Sequence, residues 1–369
     1  MVSIAREILL HDKLRFLIIV ISLGFVITMI VYDLGMFFGV TGDSVSLVDR
    51  AHAELWISEE ESENLLSPSL VPGSALRRAR MLEGVNQACG LDYSAGNLKI
   101  NDTRQVTVVG IDPSCPLFQP WEIASGDVGQ IHRKDTIVID DLALRGDNLA
   151  QLGDIVELNG EELRLVAITH NNKSFSSPFV YVNFHTFEEL FGTTGYHSFV
   201  AVQLEPGVEA NTVLQRLAGV NFELTVTPAQ QFRQSTIIAL VSAGVGMIFV
   251  VVFIGVVVGM LIITLTLYTA TMEQLRDFAI LKALGSTRGK IRLIVLEQAI
   301  LETTASFAIG LAGTWGANYF VENISGIRGR FPTPAVLASF GLMIGLAVLG
   351  SLLSIRKATR VDPVMVFRA

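Results

Sequence analysis

Four long apolar tracts constrain this chain more than any other feature of its sequence. They run over 16–40, interrupted only by Asp33; over 234–272, with 39 consecutive uncharged residues; over 293–320, carrying Glu297 and Glu302; and over 331–355, with no charge. At about 1.5 Å per helical residue, each can cross a hydrocarbon core of about 30 Å. Half of the 369 residues are hydrophobic and the mean hydropathy is +0.51, which argues against a purely soluble protein. A net charge of −8 and only two cysteines exclude a basic nucleic-acid binder, a disordered chain and a small disulfide scaffold.

Charge then divides what the tracts leave. Residues 41–235 hold 26 acidic and 13 basic side chains, a local net charge of −13, and read as a separate extracytoplasmic domain. The pieces 1–15, 273–292 and 356–369 hold 12 Lys and Arg and are assigned to the cytoplasm by the positive-inside bias of short loops. Arg328 and Arg330, in the short loop 321–333, weakly oppose that sidedness. The expected order is an amphipathic cytoplasmic segment 1–15, a first span 16–40, an α+β extracytoplasmic domain 41–235, a stalk and second span 236–271, a cytoplasmic loop 272–292, a third span 293–320, an outer loop 321–333, a fourth span 334–355 and a cytoplasmic tail 356–369. Both termini lie inside. The first tract does not read as a cleavable signal, because it is too long and no small-residue cleavage pattern follows it. The second is too long for one crossing, since 39 helical residues would reach nearly 60 Å. Its first turns, around 234–242, are expected to form a stalk.

Within 41–235 the residues 53–57, 104–111, 136–139, 154–168 around an Asn159-Gly160 turn, and 179–183 read as strands. Helical patterns fall at 73–82, 185–191 and 209–218. Their mixture without strict βαβ alternation indicates an α+β domain with room for a second small lobe. Five of the six histidines lie here (His52, His132, His170, His185, His197) without HxH or HxxxH spacing, so a structural role outweighs metal ligation. The acidic run Glu59, Glu60, Glu61, Glu63 lacks the alternating pattern of a calcium loop and reads as a solvated segment. Cys89 and Cys115 both fall on the outer side, where disulfides persist, but spacing does not decide whether they bond. Gly255 with Gly259, and Gly341 with Gly345, have the small-xxx-small spacing that allows close helix approach, a spacing also common by chance. Asp33 and Glu302 are costly in lipid and read either as parts of a substrate or proton path or as helix-pairing groups. Glu297, five residues past Arg292, is expected at the inner interface.

The most informative stretch is 272–292. Leu275, Phe278, Ala279, Leu281 and Ala283 place apolar groups along a short helix studded with Glu273, Arg276, Asp277 and Lys282, and Gly285 is placed to end it. Such a helix between two spans can seat in a groove on a cytoplasmic partner and carry its movement into the membrane.

The run Arg276-Asp-Phe-Ala-Ile-Leu-Lys-Ala-Leu-Gly285 resembles the Arg-Glu-Phe/Ile-x-x-Leu-Lys/Arg-Ala-Leu/Ile-Gly signature of MacB/FtsX-type ABC transporter permeases, with Asp277 in place of the usual Glu. Ala358 to Pro363 resembles that family's closing Ala-x-x-Val/Ile-x-Pro segment, and one span, a large outer domain and three further spans is the family's plan. The opening Leu10-His-Asp-Lys-Leu-Arg-Phe16 and the compact outer domain look most like the DevC-like branch. The resemblance implies a homodimer of permease chains bound to two copies of a separate ATPase, with 273–285 as the coupling helix and no catalytic residue in this chain. It further implies an amphiphilic substrate such as a lipid, glycolipid, lipoprotein, drug or haem, with a periplasmic membrane-fusion adaptor and outer-membrane channel as further partners. An FtsX-like signalling permease that works on an envelope enzyme without moving a solute is the alternative. ATP and Mg would be bound by the ATPase: Gly289-Lys290 is followed by Ile291 and preceded by Leu284 where a phosphate-binding loop needs its first Gly, so the residues themselves offer no such loop.

Overall fold

The computed structural model describes residues 13–359 except 61, 147, 176 and 219–223. The opening segment up to 12 and the tail from 360, including Arg360 to Pro363 of the closing motif and Leu10 to Asp12 of the opening one, lie outside the described residues. The chain separates into two compact units, 1–39 with 246–369, and 40–245.

The inserted unit contains α2 (Ser46–Ala51), α3 (Gly73–Met81), α4 (Phe184–Phe191), α5 (Ala210–Ala218) and α6 (Ala229–Leu240), preceded by α1 (Lys13–Ser44), whose last turn belongs to it. Its strands are β1 (Leu55–Glu59), β2 (Val71–Pro72), β3 (Val85–Lys99), β4 (Thr103–Ile111), β5 (Ile123–Gly126), β6 (Thr136–Asp140), β7 (Ile155–Leu158), β8 (Glu161–Thr169), β9 (Lys173–Ser174), β10 (Ser177–Asn183), β11 (Tyr196–His197), β12 (Phe199–Leu204) and β13 (Leu224–Pro228). The main sheet runs β13-β1-β12-β3-β4-β10-β6-β8-β5 and mixes parallel with antiparallel pairs. β7 pairs with both β8 and β3, so β3-β4-β10-β6-β8-β7 closes into a small barrel, the second lobe. Its interior holds Leu98, Val106, Val108, Ile137, Val180 and Leu165, all essentially inaccessible, because alternate residues along each strand face inward. Asn159 (φ 50°) and Gly160 (φ 95°) make the tight β7–β8 turn that left-handed backbone at both positions requires.

The first lobe packs α3 and α5 on one face of β13-β1-β12-β3 over Leu55, Val200 and Val202, while Trp56 on the other face stacks on Phe232 of α6 at 4.7 Å. The strand β3 has no strand-like composition, since Asn86, Gln87, Gly90, Asp92, Gly96 and Asn97 interrupt it. It is held by neighbours: a Cβ on Gly90 would lie 2.7 Å from the His197 ring, and one on Gly96 2.6 Å from Val108.

The second unit is helical: the body of α1, α7 (Met247–Glu273), α8 (Leu275–Ala283), α9 (Arg288–Ser325) and α10 (Thr333–Thr359). Four helices, over Phe16–Ser44, Met247–Glu273, Arg288–Ile324 and Thr333–Arg356, are long and apolar enough to cross a membrane. The 234–272 tract is not one rod. It breaks at Val241–Val245, where Gly244 takes φ 122°, outside the helical region, and α7 begins after the break. The third span is longer than the tract suggests: α9 begins at Arg288, so the loop before it is shorter than 272–292.

Close approach between helices is carried by glycine. Gly255 and Gly259 face Ile30 and Val26 of α1, with an added Cβ at 2.9 and 3.3 Å from those side chains. Gly310 of α9 lies against Ile27, and Thr28 Oγ1 donates across the same crossing to the Gly310 carbonyl at 3.1 Å. By contrast Gly341 and Gly345 are exposed and have open space where a Cβ would go, so they serve no contact among the described residues.

Candidate functional site

The loop between the second and third membrane helices is a built structure rather than a flexible linker. α7 ends at Glu273, Gln274 makes a short joint, and α8 follows at once. α8 stops in a double hydrogen-bonded cap. Gly285 N–H donates to the Lys282 carbonyl at 3.1 Å and Ser286 N–H to the Leu281 carbonyl at 2.9 Å, which requires the left-handed φ of 90° at Gly285. Thr287 then caps α9, accepting from Lys290 N–H at 3.4 Å.

Three attachments fix α8 to its neighbours. At its start, Gln298 Nε2 of α9 donates to Gln274 Oε1 at 3.3 Å. In its middle, Phe278 is completely buried among Ile291, Ile294 and Val295 of α9 and Ile355 of α10. Burying a Phe of this kind contributes about 2–3 kcal/mol. At its end, Lys282 Nζ donates to the Thr359 carbonyl of α10 at 3.4 Å. A push on α8 therefore reaches α7 through the chain and α9 and α10 through side chains.

This geometry re-sorts the residues expected to meet a partner. Phe278 and Ala279 turn inward and anchor the helix, so neither can form a docking face; Leu275, Leu281 and Lys282 are half-buried. The outward face is Glu273, Arg276, Asp277, Ile280 and Leu284, at positions three or four apart along one helical side. Ile280 is 39% and Leu284 79% exposed. Leu284 was not among the residues expected on that face, because the register of the buried face depends on where α9 and α10 lie.

The other expected sites resolve as follows. Cys89 and Cys115 are bonded, with Cα atoms 6.2 Å apart. Glu302 is buried on α9, one turn before Ser306, whose hydroxyl donates to the Glu302 carbonyl at 2.7 Å. Asp33 is half-buried on α1, its Oδ2 without a hydrogen-bond partner among the described residues. Nothing in the structure brings Asp33 and Glu302 to a common cavity among the described residues. Three of the histidines pair individually with carboxylates, His170 with Asp141 at 2.8 Å, His185 with Glu188 at 3.9 Å and His197 with Asp92 at 3.2 Å. No cluster of three metal-capable side chains occurs among the described residues. Asp92 is deeply buried, and that burial pushes its carboxyl above the usual range against the lowering effect of His197.

Comparison with known proteins bears on both units. The family model of the MacB-like periplasmic core domain matches residues 14–220, more than half of the chain, and that of the FtsX-like permease C-terminal region matches 249–363. The uncharacterized ABC transporter permease YknZ of Bacillus subtilis is 25% identical over 236 residues, 60% of this chain and 58% of the relative. A permease of Methanocaldococcus jannaschii with the same kind of description is 27% identical over 167 residues, 42% of this chain and 41% of its own. The chain thus spans under two thirds of the length of these two relatives. An uncharacterized ABC transporter permease of Mycobacterium tuberculosis is 22% identical over 365 residues, 96% of each chain. Among solved structures, the periplasmic region of MacB from Actinobacillus actinomycetemcomitans aligns with a TM-score of 0.40 at 12% identity, covering 50% of this chain and 92% of that one. The extracellular domain of YknZ aligns with a TM-score of 0.35 at 17% identity, covering 47% and 98%.

Proposed function

The chain belongs to the MacB/FtsX family of ABC transporter permeases, and from that premise we propose that it is the non-catalytic membrane subunit of an ATP-driven exporter, worked through α8 by an ATPase on a separate chain. The observation that carries the reading is the seating of α8. One side is tied to α9 and α10 through Gln274, Phe278 and Lys282, and to α7 through the chain, while the opposite face presents Arg276, Asp277, Ile280 and Leu284 to a partner. A helix held that way converts a displacement at its exposed face into movement of the spans. In this reading two ATPase copies, which bind the ATP and Mg, serve two copies of this chain, and the second copy approaches the open Gly341 and Gly345 face of α10. Both termini and α8 lie in the cytoplasm. The inserted domain handles an amphiphilic cargo on the other side, with a membrane-fusion adaptor and outer-membrane channel completing the path.

The test is association. Ile280→Asp and Leu284→Asp are expected to reduce copurification of the ATPase at least tenfold while the chain remains folded in detergent. Full assembly by both variants would remove α8 as the docking element. Modification of a cysteine placed at Lys282 by a membrane-impermeant reagent added outside intact cells would reverse the proposed sidedness.

A further inference from the structure

Strand β3 is paired unevenly. On one side β12 accompanies it down to Val85, but on the other β4 stops at Ile111, opposite Leu91, so Val85 to Gly90 has a strand neighbour on one side only among the described residues. The alternation of the strand shows which groups this leaves at the edge. Tyr93 N–H donates to Ser198 Oγ on the β12 side at 3.0 Å and Asn97 N–H to Asn159 Oδ1 on the β7 side at 2.8 Å, so odd-numbered residues turn their amides away from β4. Ala88 and Gly90 belong to the other set and turn theirs toward the open side. The Ala88 carbonyl accepts there from Arg80 Nε at 2.8 Å.

A cleft of about 360 Å³ runs along this edge, a size within the range of small-ligand sites. Arg80 of α3 lines one side of it and Ser114, in the chain after β4, the other, with Gln87, Ala88 and Cys89 of β3 between them. The cleft wraps around the edge, since Ala88 belongs to the core on one face of the sheet and Cys89 to the core on the other. Gln87 Oε1 is buried and has no hydrogen-bond partner among the described residues. A buried acceptor is costly until a donor meets it. Arg80 is already neutralised by Asp112 at 3.3 Å, so the cleft does not select an anion.

We propose that this edge is the docking site for an extended, uncharged segment of a partner polypeptide. Its backbone pairs with β3 at Ala88 and donates an N–H to Gln87 Oε1, while Arg80 yields the Ala88 carbonyl and keeps Asp112. A peptide backbone offers N–H and C=O groups at the two-residue repeat of about 6.6–6.8 Å that a strand edge presents, which a lipid or a free ion does not. The proposal goes beyond the export reading and does not rest on it.

Photolabelling tests it on the full chain in phosphatidylcholine nanodiscs. The probe is an acetylated and amidated eight-residue peptide of alternating Thr and Val with one photo-leucine. It is expected to label the segments around Gln87 and Ser114, and excess unlabelled peptide should reduce that labelling at least fivefold. The same peptide methylated at every backbone nitrogen should not compete, because it keeps the side chains but has no donors. Gln87→Leu should lower labelling at least threefold, and Ser114→Trp, which fills the cleft, at least fivefold. A parental thermal midpoint and an intact Cys89–Cys115 bridge verify folding, and the methylated peptide decides the matter even where a variant fails to fold. Equal competition by the methylated peptide, equal displacement by tri-N-acetylglucosamine, full labelling of Ser114→Trp, or label absent from both segments would overturn the proposal. Ile280→Asp should leave the labelling intact, so loss of ATPase docking and loss of the edge site are separately readable.

Discussion

Lys173 Nζ lies 3.3 Å from a carboxylate oxygen of Asp43, and the two side chains are 4% and 6% exposed. Asp43 occupies the last turn of α1, where the helix dipole disfavours a negative charge, so the lysine offsets both the dipole and the loss of water. The neighbouring Ser44 hydroxyl accepts from Phe175 N–H at 3.2 Å, and the Ser46 hydroxyl donates to the Lys173 carbonyl at 3.4 Å. The end of the first helix is thereby clasped by the β9 segment. Removing one partner strands a buried charge, a change that costs about 3–5 kcal/mol. Lys173→Met is expected to lower the thermal midpoint of the purified chain sharply, and Asp43→Leu combined with Lys173→Met to regain most of the loss. An unchanged midpoint in the single variant would show that the pair contributes nothing to stability.

The α1–α9 crossing makes a second prediction. A Cβ on Gly310 would lie 2.6 Å from Ile27 Cγ2, and one on Gly24 3.1 Å from Ile309 Cγ2, so the helices touch through bare backbone on both sides. Overpacking such a contact costs about 1–3 kcal/mol. Gly310→Val should destabilise the helical unit by an amount in that range, and Ile27→Ala in the same chain should return part of it. Gly341→Val should cost the isolated chain little, because no described residue lies within 4 Å of an added Cβ. Thermal unfolding in detergent would rank the three.

The four long apolar helices were legible because they depend on tract length and hydropathy, which are local properties. Helix α8 was legible for a related reason: its polar studs and Gly285 stop are written into consecutive residues. The face it offers outward was not, since Phe278 is turned inward by Ile291 and Ile355, far along the chain. Strand β3 escaped because its glycines and polar residues lower local strand propensity. Only the His197 ring and Val108, packed where those glycines have no Cβ, show why they belong in a strand. The same limit hid the Gly24 and Gly310 contact, whose partners are separated by nearly the whole chain, while the more regular spacing of Gly341 and Gly345 drew attention to an open face.

The Cys89–Cys115 bridge closes a stretch of 26 residues that joins β3 to the segment after β4. Constraining an unfolded loop of that length contributes about 3–4 kcal/mol in the chain-entropy account. The double variant Cys89→Ala with Cys115→Ala should therefore unfold at a markedly lower denaturant concentration than the oxidised parent. Reduction of the parent should bring it down to the same value. Alkylation before reduction should find no free thiol, and two reactive thiols in the unreduced protein would contradict the bridge.

Asp140, the last residue of β6, has no solvent exposure and sits among donors: Leu142 N–H at 3.1 Å, Asn172 N–H at 2.6 Å and the Thr169 hydroxyl at 3.3 Å. Burial pushes its carboxyl up to about 7, with Asp141 adding to the rise and the Asn172 and Leu142 bonds holding it back. Because the folded value lies above the unfolded one, the folded state binds the proton more tightly. The associated stability is full below about pH 4 and is lost as pH rises toward 7, at up to about 1.4 kcal/mol per unit. Tyr181 donates to the Asn172 side chain at 2.8 Å, so ionisation is felt by β10 as well as by β6. The thermal midpoint of the inserted domain within the full chain should fall between pH 5 and pH 8. Asp140→Asn, lower at every pH because its amide meets the Asn172 N–H as a second donor, should flatten that fall. A slope that survives the substitution would move the proton to another buried acid, and Asp92, raised by burial on β3, is the next to replace.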